Sequence, residues 1–137
     1  MEIVNKSKEY NSDSHLVYSC QYHIIFCPKY RRKVLVGDIA IKLKELILSN
    51  QDKFNYTVLE MEVMDDHVHL LLNIHPKIGV YEVVNRIKGF SSRILRSEFP
   101  SLKKRLPSLW TRSKFISSVG SVSLEVVKKY IEEQKGK

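Results

Sequence analysis

Two histidines separated by one residue, His67 and His69, have the types and the spacing to bind a metal ion together. They lie in the segment 67–74, where Val68, Leu70 and Leu72 take the alternate positions, as in a strand with one buried face. Side chains two residues apart in a strand share a face, about 6.6 Å apart along the strand axis. Two such imidazoles can converge on one ion at about 2.1 Å each. The same spacing also fits two ordinary histidines on an open sheet.

A second group with chemical potential is Tyr130 together with Gln134, four residues further along the chain. Residues at i and i+4 of a helix share one face, so the phenol and the amide would point the same way. A phenol can act as a nucleophile, and an amide oxygen can bind a hard metal ion. Taken alone, the segment is more typical of a packed tyrosine and a solvated amide.

The elements that must position these groups follow from hydrophobic periodicity. Alternation predicts four strands, over 15–27, 56–64, 67–74 and 109–119. Helical spacing predicts helices over 38–52, 80–97 and 122–134, with a basic loop over 100–107. The order β-α-β-β-α-β-α predicts an α+β fold of the ferredoxin-like split β-α-β type. In that fold an antiparallel four-stranded sheet has the order 4-1-3-2, two helices cover one face, and the added C-terminal helix carries Tyr130.

The chain of 137 residues is predicted to form a single domain over 1–137, since it is long enough for one core and too short for two. Residues 1–14 are polar and are predicted to form a flexible arm, and 121–137 the C-terminal helix and tail. No apolar run approaches the ~20 residues of a membrane span. The first residues lack a signal-peptide pattern, which favours a cytoplasmic protein.

The charge of the chain points to a polyanionic partner. Lysine and arginine number 23 against 15 aspartates and glutamates, a net charge of +8. A small basic domain most often binds nucleic acid, although a merely soluble basic protein has the same balance. Cys20 and Cys27 are poorly spaced for a disulfide or a zinc site and are predicted to be small core residues. No glycine lies in a phosphate-binding loop, so no nucleotide cofactor is expected.

Several motifs, in order along the chain, resemble the single-tyrosine HUH transposases, the small TnpA-type enzymes of the insertion sequence 200/605 group. The matching segments are YHIIFCPKYR at 22–31, VMDDHVHLL at 63–71, KGFSSR at 88–93, LW at 109–110 and YIEEQ at 130–134. The resemblance spans about residues 15–134. One departure is Asp65, at a turn position where the family often has proline.

The resemblance implies a role for each matched residue of the two groups. His67, His69 and Gln134 would be ligands of a divalent metal, Mg²⁺ or Mn²⁺, and Tyr130 would be the nucleophile. The substrate would be single-stranded DNA with a hairpin at insertion-sequence ends, cut and rejoined through a 5′-phosphotyrosine intermediate. Members of the family work as homodimers, in which the tyrosine helix of one subunit completes the histidine site of the other.

Further basic and aromatic side chains are candidate DNA contacts, through phosphate neutralisation or base stacking. They are Tyr30, Arg31, Arg32, Lys33, Lys88, Arg93, Lys103, Lys104 and Arg105. Phe90 and Trp110 could also stack on bases, but core packing explains them better. His23, Glu62 and Asp65 are candidate accessory residues beside the metal. For His23 an ordinary half-exposed histidine is the simpler interpretation.

Two other functions fit parts of the pattern. A non-catalytic ferredoxin-like module that binds single-stranded nucleic acid would read bases with aromatic residues on the open sheet face. Here that face is predicted to carry histidines, Gln21 and glutamates instead, which favours a metal site. The other alternative is a domesticated relative that cleaves repeated hairpins and no longer mobilises an element.

Overall fold

Seven strands and five α-helices make up the parts of the chain that the computed structural model describes, which are residues 2–3, 11–13, 15–120 and 124–134. The strands are β1 (Glu2–Ile3), β2 (Asn11–Asp13), β3 (Leu16–Tyr18), β4 (Gln21–Phe26), β5 (Tyr56–Met64), β6 (His67–Ile74) and β7 (Phe115–Ser118). The helices are α1 (Gly37–Ser49), α2 (Gln51–Phe54), α3 (Val80–Glu98), α4 (Pro100–Arg105) and α5 (Leu124–Glu133). A 3-10 turn, Lys29–Arg31, follows β4.

The main sheet has five strands in the order β1-β5-β6-β4-β7, and all neighbouring strands are antiparallel. Strands β5 and β6 form a hairpin that turns at Asp65 and Asp66. Strand β6 lies at the centre of the sheet, with β5 on one side and β4 on the other. The α+β class with an antiparallel sheet, which the periodicity predicts, is confirmed.

The two faces of the sheet differ because side chains alternate along each strand. On β6, Val68, Leu70 and Leu72 are fully buried, in one core cluster with apolar residues of α1 and α3. His67 and His69 occupy the alternating positions and so project from the opposite face. The helices therefore cover the apolar face and leave the histidine face to the site.

Phe90 and Trp110 pack in the core, as predicted, since each is only 6% exposed. The indole Nε1–H of Trp110 donates to the hydroxyl of Ser91 at 3.0 Å, so the one polar atom of the ring is satisfied inside the core. Phe26 meets the Trp110 ring edge-on, with ring centroids 4.7 Å apart. This packing fixes the segment that follows α4 against the inner strand β4.

The predicted first strand over 15–27 is two strands, β3 and β4, with a break at Ser19 and Cys20. The backbone N–H of Cys20 donates to the side-chain oxygen of Asn73 at 2.8 Å, and its carbonyl accepts from the N–H of Ile74 at 2.9 Å. Strand β3 leaves the main sheet and pairs with β2 instead. The alternation of residues continues across the break, so periodicity alone predicts a single strand.

The predicted arm over 1–14 is strand wherever it is described. Glu2–Ile3 pair with β5 and extend the sheet by one strand, and Asn11–Asp13 form β2. The side chain of Asn11 anchors β2, because its amide donates to Thr57 and its oxygen accepts from Asn73, both at 3.0 Å. The polar side chains that suggest an arm from composition are the ones that make these hydrogen bonds.

The region between α3 and α5 differs from its prediction in two ways. The strand predicted over 109–119 is limited to Phe115–Ser118, preceded by an isolated bridge between Pro28 and Trp110. The basic stretch 103–105 is helical rather than a loop, since Pro100 at the first turn opens α4. Within the described residues, no helix is long and apolar enough to cross a membrane.

Candidate functional site

The site is built on the central strand β6, where His67 and His69 lie side by side on the face that the helices leave uncovered. Across the hairpin, His67 is in register with Met64 and His69 with Glu62. On the other side of β6, His69 is opposite Ile25 of β4. Both imidazoles are half-buried. Hydrogen-bonded strands on both sides fix the backbone that carries the pair.

His67 is held by the carboxylate of the residue before it. Its Nδ1 lies 2.8 Å from Oδ1 of Asp66, and Oδ2 of Asp66 accepts from Nη2 of Arg31 at 2.7 Å. The hydrogen bonds from His67 and then from Arg31 hold the pKa of Asp66 below its usual range. An ionised carboxylate can only accept, so Nδ1 of His67 carries the hydrogen, and in the neutral ring Nε2 keeps the free lone pair.

His69 is paired with another histidine rather than with a carboxylate. Its Nε2 lies 3.0 Å from Nδ1 of His23, and the two rings stack at 19° with centroids 5.2 Å apart. Burial and then the neighbouring His23 lower the pKa of His69, against an opposing effect of Glu62. The lowered pKa favours the neutral imidazole, which is the form that binds metals. The structure brings two predicted accessory residues, His23 and Glu62, to this ring.

The donor set suits a hard or borderline divalent cation. Two imidazoles share one face, and the Asp66 carboxylate holds the far nitrogen of one of them, as outer carboxylates commonly do for metal-ligating histidines. Within the described residues, no three His, Cys, Asp or Glu side chains already surround one point. Further ligands would be amide, phosphate or water oxygens. That mixture of nitrogen and oxygen fits Mg²⁺ or Mn²⁺, and Mn²⁺ tolerates nitrogen better.

The second predicted group lies at the end of α5. Tyr130 is within this helix, and Gln134 follows it in a turn, where its backbone N–H donates to the carbonyl of Ile131 at 3.1 Å. The side chain of Gln134 is exposed. Among the described residues, no hydrogen bond joins Gln134 to His67 or His69. Among the described side chains, the hydrogen-bond partners of the two histidines are Asp66 and His23, and neither belongs to the helix.

Most of the candidate DNA contacts are exposed, in two regions. The first region is the loop after β4, which carries Tyr30, Arg31, Arg32 and Lys33. The ring of Tyr30 is 66% exposed, and the ammonium of Lys29 lies 5.4 Å from its centroid. The second region comprises α3 and α4, which carry Arg93, Lys103, Lys104 and Arg105. The first region borders the histidines, because Arg31 contacts Asp66.

The interpretation of Lys88 as a DNA contact is corrected. Its side chain is buried, and its ammonium donates to the carbonyls of Thr111, Arg112 and Ser113 at 2.7, 3.4 and 3.5 Å. Burial, followed by the neighbouring Lys114, lowers the pKa of Lys88 to about 8. All three of its hydrogens have partners. Lys88 anchors the segment that leads into β7.

The aspartate that contacts the histidine pair is Asp66, not the neighbouring Asp65. The side chain of Asp65 makes no hydrogen bond or ion pair with any described residue, while its carbonyl accepts from the N–H of Leu35 at 3.0 Å. In the sequence, the feature that could have predicted the contact of Asp66 is its position directly before His67, at the end of a tight turn. The contact with Arg31 has no sequence signal, since the two residues are 35 apart.

Comparison with known proteins finds a transposase family. The family model described as "Transposase IS200 like" matches residues 16–134. The ISDra2 transposase TnpA of Deinococcus radiodurans is 40% identical over 123 residues, which cover 88% of each chain. The transposase for insertion sequence element IS200 of Salmonella typhimurium is 33% identical over 127 residues, covering 89% of this chain and 84% of the relative.

Solved structures share the fold. A crystal structure of a protein described as a transposase, from Deinococcus radiodurans, aligns with a TM-score of 0.72 and 34% identity, covering 90% of this chain and 97% of that one. A REP-associated tyrosine transposase bound to a REP hairpin aligns with a TM-score of 0.57 and 11% identity, covering 90% of this chain and 67% of that one, which shows the fold alone. The family match over 16–134, with relatives at these identities, shows that this chain belongs to the IS200-like transposases.

Proposed function

We propose that this transposase cuts and rejoins single-stranded DNA at insertion-sequence ends, with Tyr130 as the nucleophile and His67, His69 and Gln134 as ligands of Mg²⁺ or Mn²⁺. The observation that carries the proposal is the pair of imidazoles on one face of β6, of which His67 is fixed through its Nδ1 by Asp66. The net charge of +8 and the exposed basic side chains beside the pair support a DNA partner. The similar fold of a transposase bound to a hairpin supports a hairpin in that DNA.

The reaction suits the residue types. A phenol with a pKa of about 10 is a weak nucleophile near pH 7 and needs an electrophilic phosphorus aligned with it. A bound divalent ion supplies charge neutralisation at the scissile phosphate. The oxygen of Tyr130 forms a bond to phosphorus as the bond to the 3′ oxygen breaks. The phenol loses its proton and the leaving 3′ oxygen gains one, which gives a 5′-phosphotyrosine and a free 3′-hydroxyl.

Rejoining reverses this step without an energy source. A 3′-hydroxyl attacks the phosphotyrosine, and the phenol leaves with its proton restored. One phosphodiester replaces another throughout, so no nucleotide is consumed. This agrees with the lack of a phosphate-binding loop in the sequence.

We also propose that two subunits complete each other's sites. The described side chains of α5 are exposed, including Ile131 of its apolar stripe at 64%. Strand β7 is an edge of the main sheet, and its Phe115 is 56% exposed. An apolar helix face and an open strand edge are typical association surfaces. A homodimer would cover them and bring Tyr130 and Gln134 of one subunit to the histidines of the other.

The proposal is tested with single-stranded DNA from the flanks of the encoding gene, labelled at its 3′ end. With Mn²⁺ present, we expect a labelled protein band that survives denaturation, because Tyr130 remains joined to the downstream fragment. DNA labelled at its 5′ end should instead release a free fragment with a 3′-hydroxyl. If the chain binds both DNAs but neither reaction occurs, the protein is a binding module and the proposal is wrong.

A further inference from the structure

We infer that Asp66 and Arg31 are positioning residues for His67, and that they select Nε2 as the ring nitrogen that His67 offers to a metal. The inference deepens the proposed metal site and rests on it. Neither residue need touch the metal or the DNA for this role. Asp66 acts on His67 directly, and Arg31 acts through Asp66.

The hydrogen-bond directions carry the first step. A guanidinium has donors only, so Oδ2 of Asp66 accepts from Arg31, and the ion pair keeps the carboxylate charged. Oδ1 of the same carboxylate lies 2.8 Å from Nδ1 of His67 and must also accept. The hydrogen of the neutral ring is thereby fixed on Nδ1. The free lone pair of the imidazole then lies on Nε2, at the edge of the ring that is far from Asp66.

The backbone of the Arg31 loop carries the second step. Tyr30 and Arg31 have φ values of 60° and 49°, in the left-handed region that side-chain-bearing residues rarely adopt. Two such residues in succession persist only when their surroundings impose them. Here the N–H of Lys29 donates to the carbonyl of Leu109 at 2.8 Å, and the N–H of Arg31 to that of Pro28 at 2.9 Å. The strained conformation coincides with the residue whose guanidinium reaches Asp66.

A purely structural ion pair is the competing explanation. The side chain of Arg31 is 71% exposed, and exposed ion pairs contribute little to stability. Removing this pair should therefore leave folding nearly unchanged. A positioning role predicts instead a change in the imidazole of His67 and in metal affinity. Asp65 supplies a matched control, as an adjacent aspartate whose side chain makes no hydrogen bond or ion pair with any described residue.

The first test needs no metal. Two-bond ¹H–¹⁵N spectra of the full chain, at about pH 8 and so above the usual histidine range, report which nitrogen of His67 carries the hydrogen. We expect the Nδ1–H form in the wild type and in Asp65→Asn. We expect the Nε2–H form to become populated in Asp66→Ala. A wild-type ring in the Nε2–H form, or an unchanged ring in Asp66→Ala, would overturn the inference.

The second test measures Mn²⁺ affinity of the full chain without DNA, from the loss of the free-ion electron paramagnetic resonance signal. We expect Asp66→Asn to weaken binding about 10-fold to 100-fold, Arg31→Gln by about 3-fold, and Asp65→Asn not at all. Arg31→Lys should restore part of the loss seen in Arg31→Gln. Equal affinities in Asp66→Asn and the wild type would contradict the inference. His67→Ala separates the two proposals, since unchanged Mn²⁺ binding in that variant would remove the metal site itself.

Discussion

The two halves of the proposed site differ in how far one subunit organises them. On β6, His67 and His69 have fixed neighbours: Asp66 holds one ring, and His23 stacks on the other. Directly after α5, Gln134 is exposed and has no hydrogen bond to those rings among the described residues. The histidine half thus has ordered neighbours within the single chain, whereas the proposed nucleophile half would be completed only by assembly. The experiments below test this contrast.

Tyr130→Phe should have the largest effect. It removes the attacking oxygen and leaves the β6 half intact, so covalent protein–DNA adducts should fall by about 10⁴-fold or more. Gel-shift affinity for the hairpin DNA should change little. Phenylalanine keeps the aromatic ring, so folding should be unchanged, and thermal unfolding of the variant checks this. Persistent adducts would exclude Tyr130 as the nucleophile.

His69→Ala should act on the other half, through the metal. Loss of one imidazole ligand should weaken Mn²⁺ binding by at least about 100-fold, and EDTA should stop cleavage by the wild type. Titration calorimetry with Mn²⁺ checks the affinity directly. His75→Ala, a histidine of the loop after β6, is the matched control and should bind Mn²⁺ normally. Cleavage that resists EDTA would remove the histidine pair from the mechanism.

Mixed dimers give a sharper test of the contrast. One chain carries Tyr130→Phe and the other His67→Ala, with different tags so that the heterodimer can be purified. If subunits complete each other, one site of the pair is intact and the other has both defects, and about half of the wild-type activity returns. If each chain uses its own tyrosine, both sites stay defective. No recovery in a verified heterodimer would contradict the exchange of helices.

Lys88→Met should have the smallest effect on chemistry, because it acts on stability. The variant leaves the carbonyls of Thr111 and its two successors without their donor, which should cost about 1–3 kcal/mol. Urea unfolding measures the loss. Lys114→Met removes a neighbouring charge without those bonds and is the control. An equal loss in both variants would mean that the ammonium is no anchor.

The same residue predicts a pH dependence with a definite sign. The pKa of Lys88 is lowered from 10.5 to about 8 in the folded chain, so between these values the unfolded chain binds more protons. The free energy of unfolding then rises with pH across this window. The advantage of the wild type over Lys88→Met should grow from about pH 8 towards 10.5. A constant difference between the two proteins would contradict the lowered pKa.

Local patterns predict the elements of this fold well, and long-range contacts account for the differences. The alternation in 67–74 places His67 and His69 on one face of a strand, as the structure has it. The break at Cys20 depends on Asn73, which is 53 residues away. No local pattern can reveal such a hydrogen bond. The same reason explains why polar residues 11–13 form a strand.

The site, like the fold, has features that local patterns predict and others that long-range contacts determine. Two imidazoles at alternate positions fit either a metal pair or two ordinary histidines, and their partners are set by tertiary structure. Lys88 has the type of a phosphate contact, and only its position against 111–113 shows that its hydrogens are taken. Arg31 reaches Asp66 from a loop in which Tyr30 and Arg31 are both left-handed. Residue type predicts which contacts a side chain can make, whereas the fold determines which of them it makes.

The two margins of the main sheet have a consequence for how copies of the chain can join. On one side, the described residues Glu2–Ile3 pair with Met61 and Glu60 of β5. On the other side, β7 is the last strand of the sheet. The β7 side offers a run of four residues. If two copies pair through β7, each covers the other's exposed strand edge. We therefore expect a closed two-fold dimer rather than a fibre.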